Sequence, residues 1–395
     1  VPRFNQFSKT RTGYDNTENL DGINILLPRA GFKYNVSDDL IVRGGLGRFS
    51  GGQPTVWISN SYSNPGVGTG DRTLTNLANV SISSVPQALK DAVAGVTTGG
   101  TTNLVDPNFN LPSEWRAQLA YDYTFSLPVI GDDIVWTTEL LYVKKQDSSF
   151  WKDVSMLDSE VTGTLKDGQR KLYNDTDGVS DIMLTNADED GRSKIFSTMF
   201  SKQWENGVTM STSYTHSDVT EGAPATSSTA GSNYGNNAVI NRNEVLLGRS
   251  SFETKHRFLL NLSYNVELFS GYNTNFTSYF ERRSGKPLTY VLTTASATRT
   301  ATYNLLSPGT TNDYFLPFIP VKGDYSVVKF ASAAQEAAFW KAVEGLGLSG
   351  YQGQFLPKGV NETPWVTTWD ISMSQEIPGL VEGHKGSVYF VVNNF

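Results

Sequence analysis

Residues 29–50 read RAGFKYNVSDDLIVRGGLGRFS, and the side chains in this stretch change character at every second position. In residues 30–36 every second residue is apolar, and the residues between them are charged, polar or glycine. The cluster at residues 37–39 is typical of a turn, and the alternation resumes in residues 40–47. Because successive side chains of a strand point to opposite sides, the pattern predicts a hairpin with one apolar and one polar face.

The same pattern recurs further along the chain, and it predicts ten strands in five hairpins. The predicted pairs are residues 29–36 with 40–47, 115–125 with 134–145, 192–203 with 208–215, 258–267 with 272–280, and 369–374 with 386–394. An Asn-Gly turn signal at residues 206–207 supports the third hairpin. The two faces are less distinct in residues 134–145, where Thr137 and Glu139 alternate in step with apolar residues, and in residues 192–203.

Strand length separates two classes of β protein. Most of the predicted strands exceed the roughly 5–6 residues typical of soluble sheets. They match the roughly 9–11 residues that a tilted strand needs to cross a bilayer. Tyr, Trp and Phe lie near several strand ends, where a membrane barrel has its aromatic girdles.

The connections give a second indication. Short turns within hairpins alternate with long connections at about residues 51–113, 147–191, 217–254 and 285–365. Outer-membrane barrels have short periplasmic turns and long extracellular loops, whereas soluble domains rarely contain structureless loops of this size. We therefore predict an all-β fold, an antiparallel transmembrane β-barrel with long extracellular loops, in the outer membrane of a Gram-negative bacterium. A soluble β-sandwich or propeller is the alternative.

Composition excludes several other functions. The chain has 395 residues, no Cys and a formal net charge of −7. Without Cys there are no disulfides, thiolate nucleophiles or Cys-ligated metals, and the negative charge disfavours nucleic-acid binding. No apolar run reaches the about 18 residues of a transmembrane helix. Both ends of the chain indicate a piece of a longer protein, since residue 1 starts no signal peptide and residue 395 lies within a predicted strand.

No catalytic motif is visible, and we predict neither enzymatic activity nor a cofactor. The three His residues lack zinc-ligand spacing, and neither a nucleophile elbow nor a phosphate-binding Gly loop occurs. No metal site is predicted. Asp175, Asp177 and Asp181 superficially resemble a Ca²⁺ loop but lack the full EF-hand spacing, which leaves a solvated loop or a surface Ca²⁺ site open.

Five segments resemble TonB-dependent outer-membrane receptors, in particular their Oar-like branch. They are residues 27–49 (a barrel hairpin), 202–217 (KQWENG with SYTHS), 255–258 (KHRF), 283–287 (RSGKP) and 391–395 (VVNNF). The resemblance covers most of the chain outside the long loops, and these segments follow the order that the family has them in.

The resemblance implies a barrel of about 22 strands around an N-terminal plug domain. Residues 1–395 would be a C-terminal part of that barrel without the plug. The whole protein would take up a scarce, unidentified solute, with energy relayed from the inner membrane by a TonB-type protein. Its partners would be outer-membrane lipid, its own plug, the TonB-type protein and the solute. Adhesion through the extracellular loops is the alternative function.

Two sets of residues are candidates for these roles. For the charged residues on the predicted lumen face, contact with the plug is favoured over contact with a substrate. These residues are Arg43, Arg116, Asp122, Glu139 and Glu267. Aromatic residues in the long loops could stack on a solute or form the core of the loops: Trp57, Tyr62, Tyr234, Tyr303, Tyr314 and Trp365. Short helices are predicted at about residues 84–94 and 331–345.

Overall fold

The computed structural model describes residues 9, 12–15, 21–51, 55–66, 83–94, 100–156, 161–173, 180–292 and 314–395. The strands, in chain order, are β1 (Arg29–Asn35), β2 (Leu40–Ser50), β3 (Thr102–Val105), β4 (Ser113–Leu127), β5 (Gly131–Gln146), β6 (Ser149–Asp153), β7 (Val161–Thr164), β8 (Lys171–Tyr173), β9 (Asp181–Asn186), β10 (Arg192–Gln203), β11 (Val208–Glu221), β12 (Gly248–Arg249), β13 (His256–Phe269), β14 (Tyr272–Arg283), β15 (Pro287–Leu288), β16 (Phe318–Ile319), β17 (Gln354–Phe355), β18 (Asn361–Glu362), β19 (Val366–Pro378) and β20 (Lys385–Val392).

One large antiparallel sheet dominates the fold. Its strands follow the order β1-β2-β4-β5-β10-β11-β13-β14-β19-β20, and β12 pairs at the edge of β11. The ten strands on this path are the ten that the sequence predicts, and several extend a few residues further toward the long loops. Among the described residues, β1 and β20 each have one neighbour in this sheet. The predicted antiparallel sheet of long strands joined by long loops is confirmed.

The strand register gives the sheet two continuous faces. Arg43 lies opposite Ala120, Ala120 opposite Glu139, and Glu139 opposite Ser197, so one polar face can be followed from strand to strand. The other face carries large apolar side chains that are about half exposed, such as Leu119 (50%) and Leu140 (53%). A continuous apolar surface of this kind is what contact with lipid requires.

Two paired threonines lie among the apolar residues of β5 and β10. Thr138 and Thr198 lie on the lipid-facing side, where their hydroxyl oxygens are 3.0 Å apart. Trp136 Nε1 donates a hydrogen bond to Thr198 Oγ1 at 2.8 Å. Because these polar groups bond to one another, they can face hydrocarbon without an unpaired donor.

Glycine is required at one close approach in the sheet. A Cβ atom on Gly44 would lie 2.7 Å from the ring of Phe32 and 2.9 Å from the carbonyl oxygen of Gln118. Any side chain here would therefore collide with both neighbouring strands. The predicted Asn-Gly turn is also present, since Gly207 has a φ of +88° and donates to the Trp204 carbonyl at 3.2 Å.

The long loops contain more secondary structure than the two helices that the sequence predicts. They form a three-stranded sheet (β3-β9-β6) and three two-stranded sheets (β7-β8, β15-β18 and β16-β17). Helices α1 (Thr55–Ser63), α2 (Gln87–Ala94), α3 (Ala230–Gly235) and α4 (Ala333–Gly345) lie between them, and α2 and α4 confirm the two predicted helices. We call these elements together the loop layer. No helix in the described ranges is both long and apolar enough to cross a membrane.

Candidate functional site

The polar face carries a network of charges toward the short-turn end of the sheet. Arg43 Nε lies 3.2 Å from Asp122 Oδ2, and Arg43 Nη1 lies 3.7 Å from Glu139 Oε2. Thr137 Oγ1 donates to the other Asp122 oxygen at 2.7 Å. The three charged side chains are about one-third exposed. Such pairs add little to stability, and their charged atoms can be reached from the polar side.

A second charged group lies on the same face at the loop end. Arg257 Nε is 2.7 Å from Glu281 Oε1, and Arg283 Nε is 3.9 Å from the same oxygen. The sequence-based candidates do not include these residues. The two-residue alternation could have identified them, because Arg257, Glu281 and Arg283 lie on the same side of their strands as Asn261 and Thr277.

The remaining predicted lumen charges lie apart from the Arg43 network. Arg116 Nε donates to Glu114 Oε1 at 2.6 Å, and its guanidinium lies 5.0 Å from the centre of the Phe49 ring. Glu267 lies by the β13–β14 turn and accepts a hydrogen bond from the Gly271 amide. The register places all five predicted residues on the polar face. Their predicted contact with a plug stays a prediction.

A cavity of about 340 Å³ lies where this face meets the loop layer. Its lining includes Trp57 of the loop layer together with Glu114 and Lys145 at the loop end of the polar face. Lys145 Nζ lies 3.7 Å from Glu221 Oε2. An apolar ring beside a few charged groups is the composition of a small-molecule site, so this cavity is the candidate site for a solute.

Two of the predicted loop aromatics form the core of the loop layer. Tyr234 is 2% exposed and packs with Trp151 and Ile182, and its hydroxyl donates to Met156 Sδ at 3.3 Å. Trp57 packs edge-on against Trp151 with ring centres 5.1 Å apart. A solute cannot reach the buried Tyr234 ring in this structure. Trp57 both packs in the core and lines the cavity.

The other predicted aromatics have different surroundings. Tyr62 is 57% exposed, and Tyr314 is half-buried with its carbonyl bound by Arg242. Trp365 is 45% exposed and stacks on His256, which the register places on the lipid-facing side. This position suits a membrane-interface anchor better than a solute contact. Tyr303 lies outside the described residues.

Two cations, the buried Arg242 and the half-buried Lys358, join separate loops to one another. Arg242 is 2% exposed, and its guanidinium donates to the carbonyls of Tyr234, Gly235 and Tyr314. Lys358 Nζ donates to the carbonyl oxygens of Gly222 (2.7 Å) and Leu246 (2.9 Å) and to Asn237 Oδ1 (3.1 Å). Each cation thereby satisfies backbone groups that the loops cannot satisfy by themselves.

The candidates for a Ca²⁺ loop are not brought together. Asp175 and Asp177 lie outside the described residues, and Asp181 lies in β9, 4% exposed beside Asp153. Burial raises the pKa of Asp153 to about 7, so this pair carries less charge than two ordinary carboxylates. In the described ranges, no three His, Asp or Glu side chains are grouped as a metal would need.

We expect Lys358→Met to destabilise the loop layer by about 1–3 kcal/mol, because the buried Asn237 and two half-buried carbonyls lose their donor. Burial lowers the pKa of Lys358 to about 8 from 10.5. Between these two pH values the unfolded chain binds more protons than the folded one. The free energy of unfolding therefore rises with pH across this window in the wild type. The variant lacks that rise. Proteolysis rates of residues 217–254, measured from pH 7 to pH 10, check both effects.

Lys322→Met is the matched control. Its Nζ lies 3.1 Å from Glu344 Oε1, and both side chains are more than half exposed. It should change the proteolysis rates little at any of these pH values. Equal effects of the two substitutions would contradict the structural role of Lys358.

Comparison with known protein families agrees with this architecture. The model of a family described as "Outer membrane beta barrel domain" matches residues 6–386. No curated protein matches the chain in sequence. Among solved structures, the outer membrane transporter YddB from Escherichia coli is 10% identical, with 92% of this chain and 36% of that chain covered and a TM-score of 0.48. The open form of the ferric-catecholate import receptor Fiu from E. coli K12 is 11% identical, with 93% and 46% covered and a TM-score of 0.37. The chain thus spans less than half of either protein.

Proposed function

Because the chain belongs to the family of outer membrane β-barrel domains and lies in the outer membrane of a Gram-negative bacterium, we propose that it is part of the wall of a TonB-dependent receptor of the Oar-like type. The whole protein takes up a scarce solute with energy relayed by a TonB-type protein. It carries out no covalent chemistry.

The observation that supports this proposal is the polar face. In the described part of the chain, the buried apolar clusters consist of loop-layer residues and none lies on the polar face of the sheet. The ion pairs of Arg43 and Arg257 remain partly exposed there. A face of this kind needs water or a polar plug domain against it. The cavity beside Trp57 and Glu114 is the place where a solute first meets that face.

Cysteine labelling tests this assignment, since the chain contains no Cys. Ser213 lies on the polar face of β11, and Met210 of the same strand lies on the lipid-facing side. In the full-length protein without other cysteines, Ser213→Cys should react slowly with a membrane-impermeant maleimide in intact cells. Deleting the plug domain should increase that rate at least about tenfold, because water then fills the lumen.

Met210→Cys is the control and should stay unreactive in both proteins, because hydrocarbon covers it. Fast labelling of Ser213→Cys in the full-length protein would contradict a plugged receptor and favour a barrel that acts in adhesion. Labelling of both positions at equal rates would contradict the assignment of the two faces.

A further inference from the structure

The lipid-facing side of the sheet carries cations at its loop end. Lys144 of β5 lies directly opposite Arg192 of β10. Lys194 follows on the same side of β10, and His216 lies opposite Phe196 on β11. Lys144, Arg192 and Lys194 are exposed and His216 is half-buried. We call these four residues the rim patch.

The rim patch has an excess of positive charge. Like charges directly opposite each other on neighbouring strands are destabilising, and Lys144 and Arg192 are placed in this way. Lys144 Nζ donates to the carbonyl of Asp190 at 2.8 Å, which leaves its charge uncompensated. Across the described ranges, Arg192 and Lys194 form no ion pair within 4 Å. Asp218, opposite Lys194, is the acidic side chain next to the patch on this side.

An apolar groove of about 470 Å³ lies beside the patch. Ala117, Leu119, Leu140 and Phe196 line it. At its loop end it reaches Lys194 and His216 together with Asp218. Leu140 is 53% exposed, so the groove is open toward the membrane. The surface therefore combines an apolar groove with the rim patch at its loop end. Trp115 and Tyr142 lie on the same side at this level, as aromatic residues do at a membrane interface.

We propose that the rim patch and groove bind a phosphorylated glycolipid of the outer leaflet. Lys144, Arg192 and Lys194 hold its phosphate, and one acyl chain lies in the groove. The charge of the phosphate complements the patch, and the acyl chain covers the exposed side chains of Leu119 and Leu140. The long loops of an outer-membrane barrel are extracellular, so the patch lies in the leaflet that contains such lipids. This inference rests on the family and not on the transport function.

Lipid retention tests the proposal. The full-length protein is reconstituted in phosphatidylcholine nanodiscs containing bisphosphorylated lipid A, and the lipid A retained after extraction is counted by native mass spectrometry. The double variant Arg192→Gln/Lys194→Gln should retain on the order of tenfold less, because each cation at a charged lipid contributes about 1 kcal/mol. Leu140→Trp, which fills the groove, should also reduce retention.

Two controls separate this site from general attraction of charge. Arg257→Gln/Arg283→Gln removes the same charge from the polar face and should leave retention unchanged. Dephosphorylated lipid A should be retained weakly by the wild type, and inorganic phosphate should compete poorly because it has no acyl chain. Equal retention by the two double variants, or equal retention of dephosphorylated lipid, would overturn the proposal.

Discussion

Leu262→Arg is expected to lower the free energy of unfolding of the bilayer-embedded protein by about 2–4 kcal/mol, the cost of Arg at mid-membrane on a barrel's outer face. Leu262 lies halfway along β13 between Met210 and Ser278, and it is 42% exposed on the lipid-facing side. Among the described residues, no carboxylate lies beside this position on the lipid-facing side, so the guanidinium must reach for the interface. Denaturant titration of the full-length protein in lipid vesicles measures the change.

Asn261→Arg is the control for this prediction, because Asn261 is the preceding residue and faces the polar side. There the guanidinium meets water or polar groups, and we expect a change within about 1 kcal/mol. If Asn261→Arg proved the more damaging substitution, the assignment of lipid and lumen faces would be reversed.

Trp151→Ala is expected to destabilise the loop layer by about 3–5 kcal/mol and to leave the large sheet intact. Trp151 is 2% exposed, and it packs with Ile182, Tyr234 and the edge of Trp57. Its removal leaves a large cavity in a small core. Hydrogen exchange should therefore show lost protection in β6 and β9, while the amides of β10 and β11 keep theirs.

Tyr62→Ala removes an aromatic ring from a neighbouring part of the loop layer, but this ring is 57% exposed. We expect a change within about 0.5 kcal/mol. Unchanged protection of β9 in Trp151→Ala would show that the loops do not depend on this core.

The sheet could be predicted from the sequence because each strand repeats a two-residue period over many residues, as in β4 and β13. The loop layer could not, because its strands are as short as Pro287–Leu288 and Phe318–Ile319. Their pairing depends on contacts between distant segments, such as the pairing of Pro287 with Glu362. A local pattern carries no information about such partners.

The candidate site could also be predicted from the sequence only in part. Alternation alone assigned Arg43, Asp122 and Glu139 to one face, but their meeting depends on the register of three strands. Arg257 and Glu281 were missed because the predicted strand 258–267 begins two residues after β13 does, and the predicted strand 272–280 ends three residues before β14 does. The aromatic residues gave no local signal for burial, so Tyr234 in the core and exposed Tyr62 could not be told apart.

The cations that join the loops limit how this protein can be re-engineered. Grafting a single extracellular loop from another barrel is attractive when loops are independent modules. Here a graft over residues 217–254 would remove the carbonyls of Gly222 and Leu246 from Lys358. It would also delete Arg242, whose guanidinium donates a hydrogen bond to the Tyr314 carbonyl. A change of recognition specificity by loop exchange would therefore need two loops to be transplanted together.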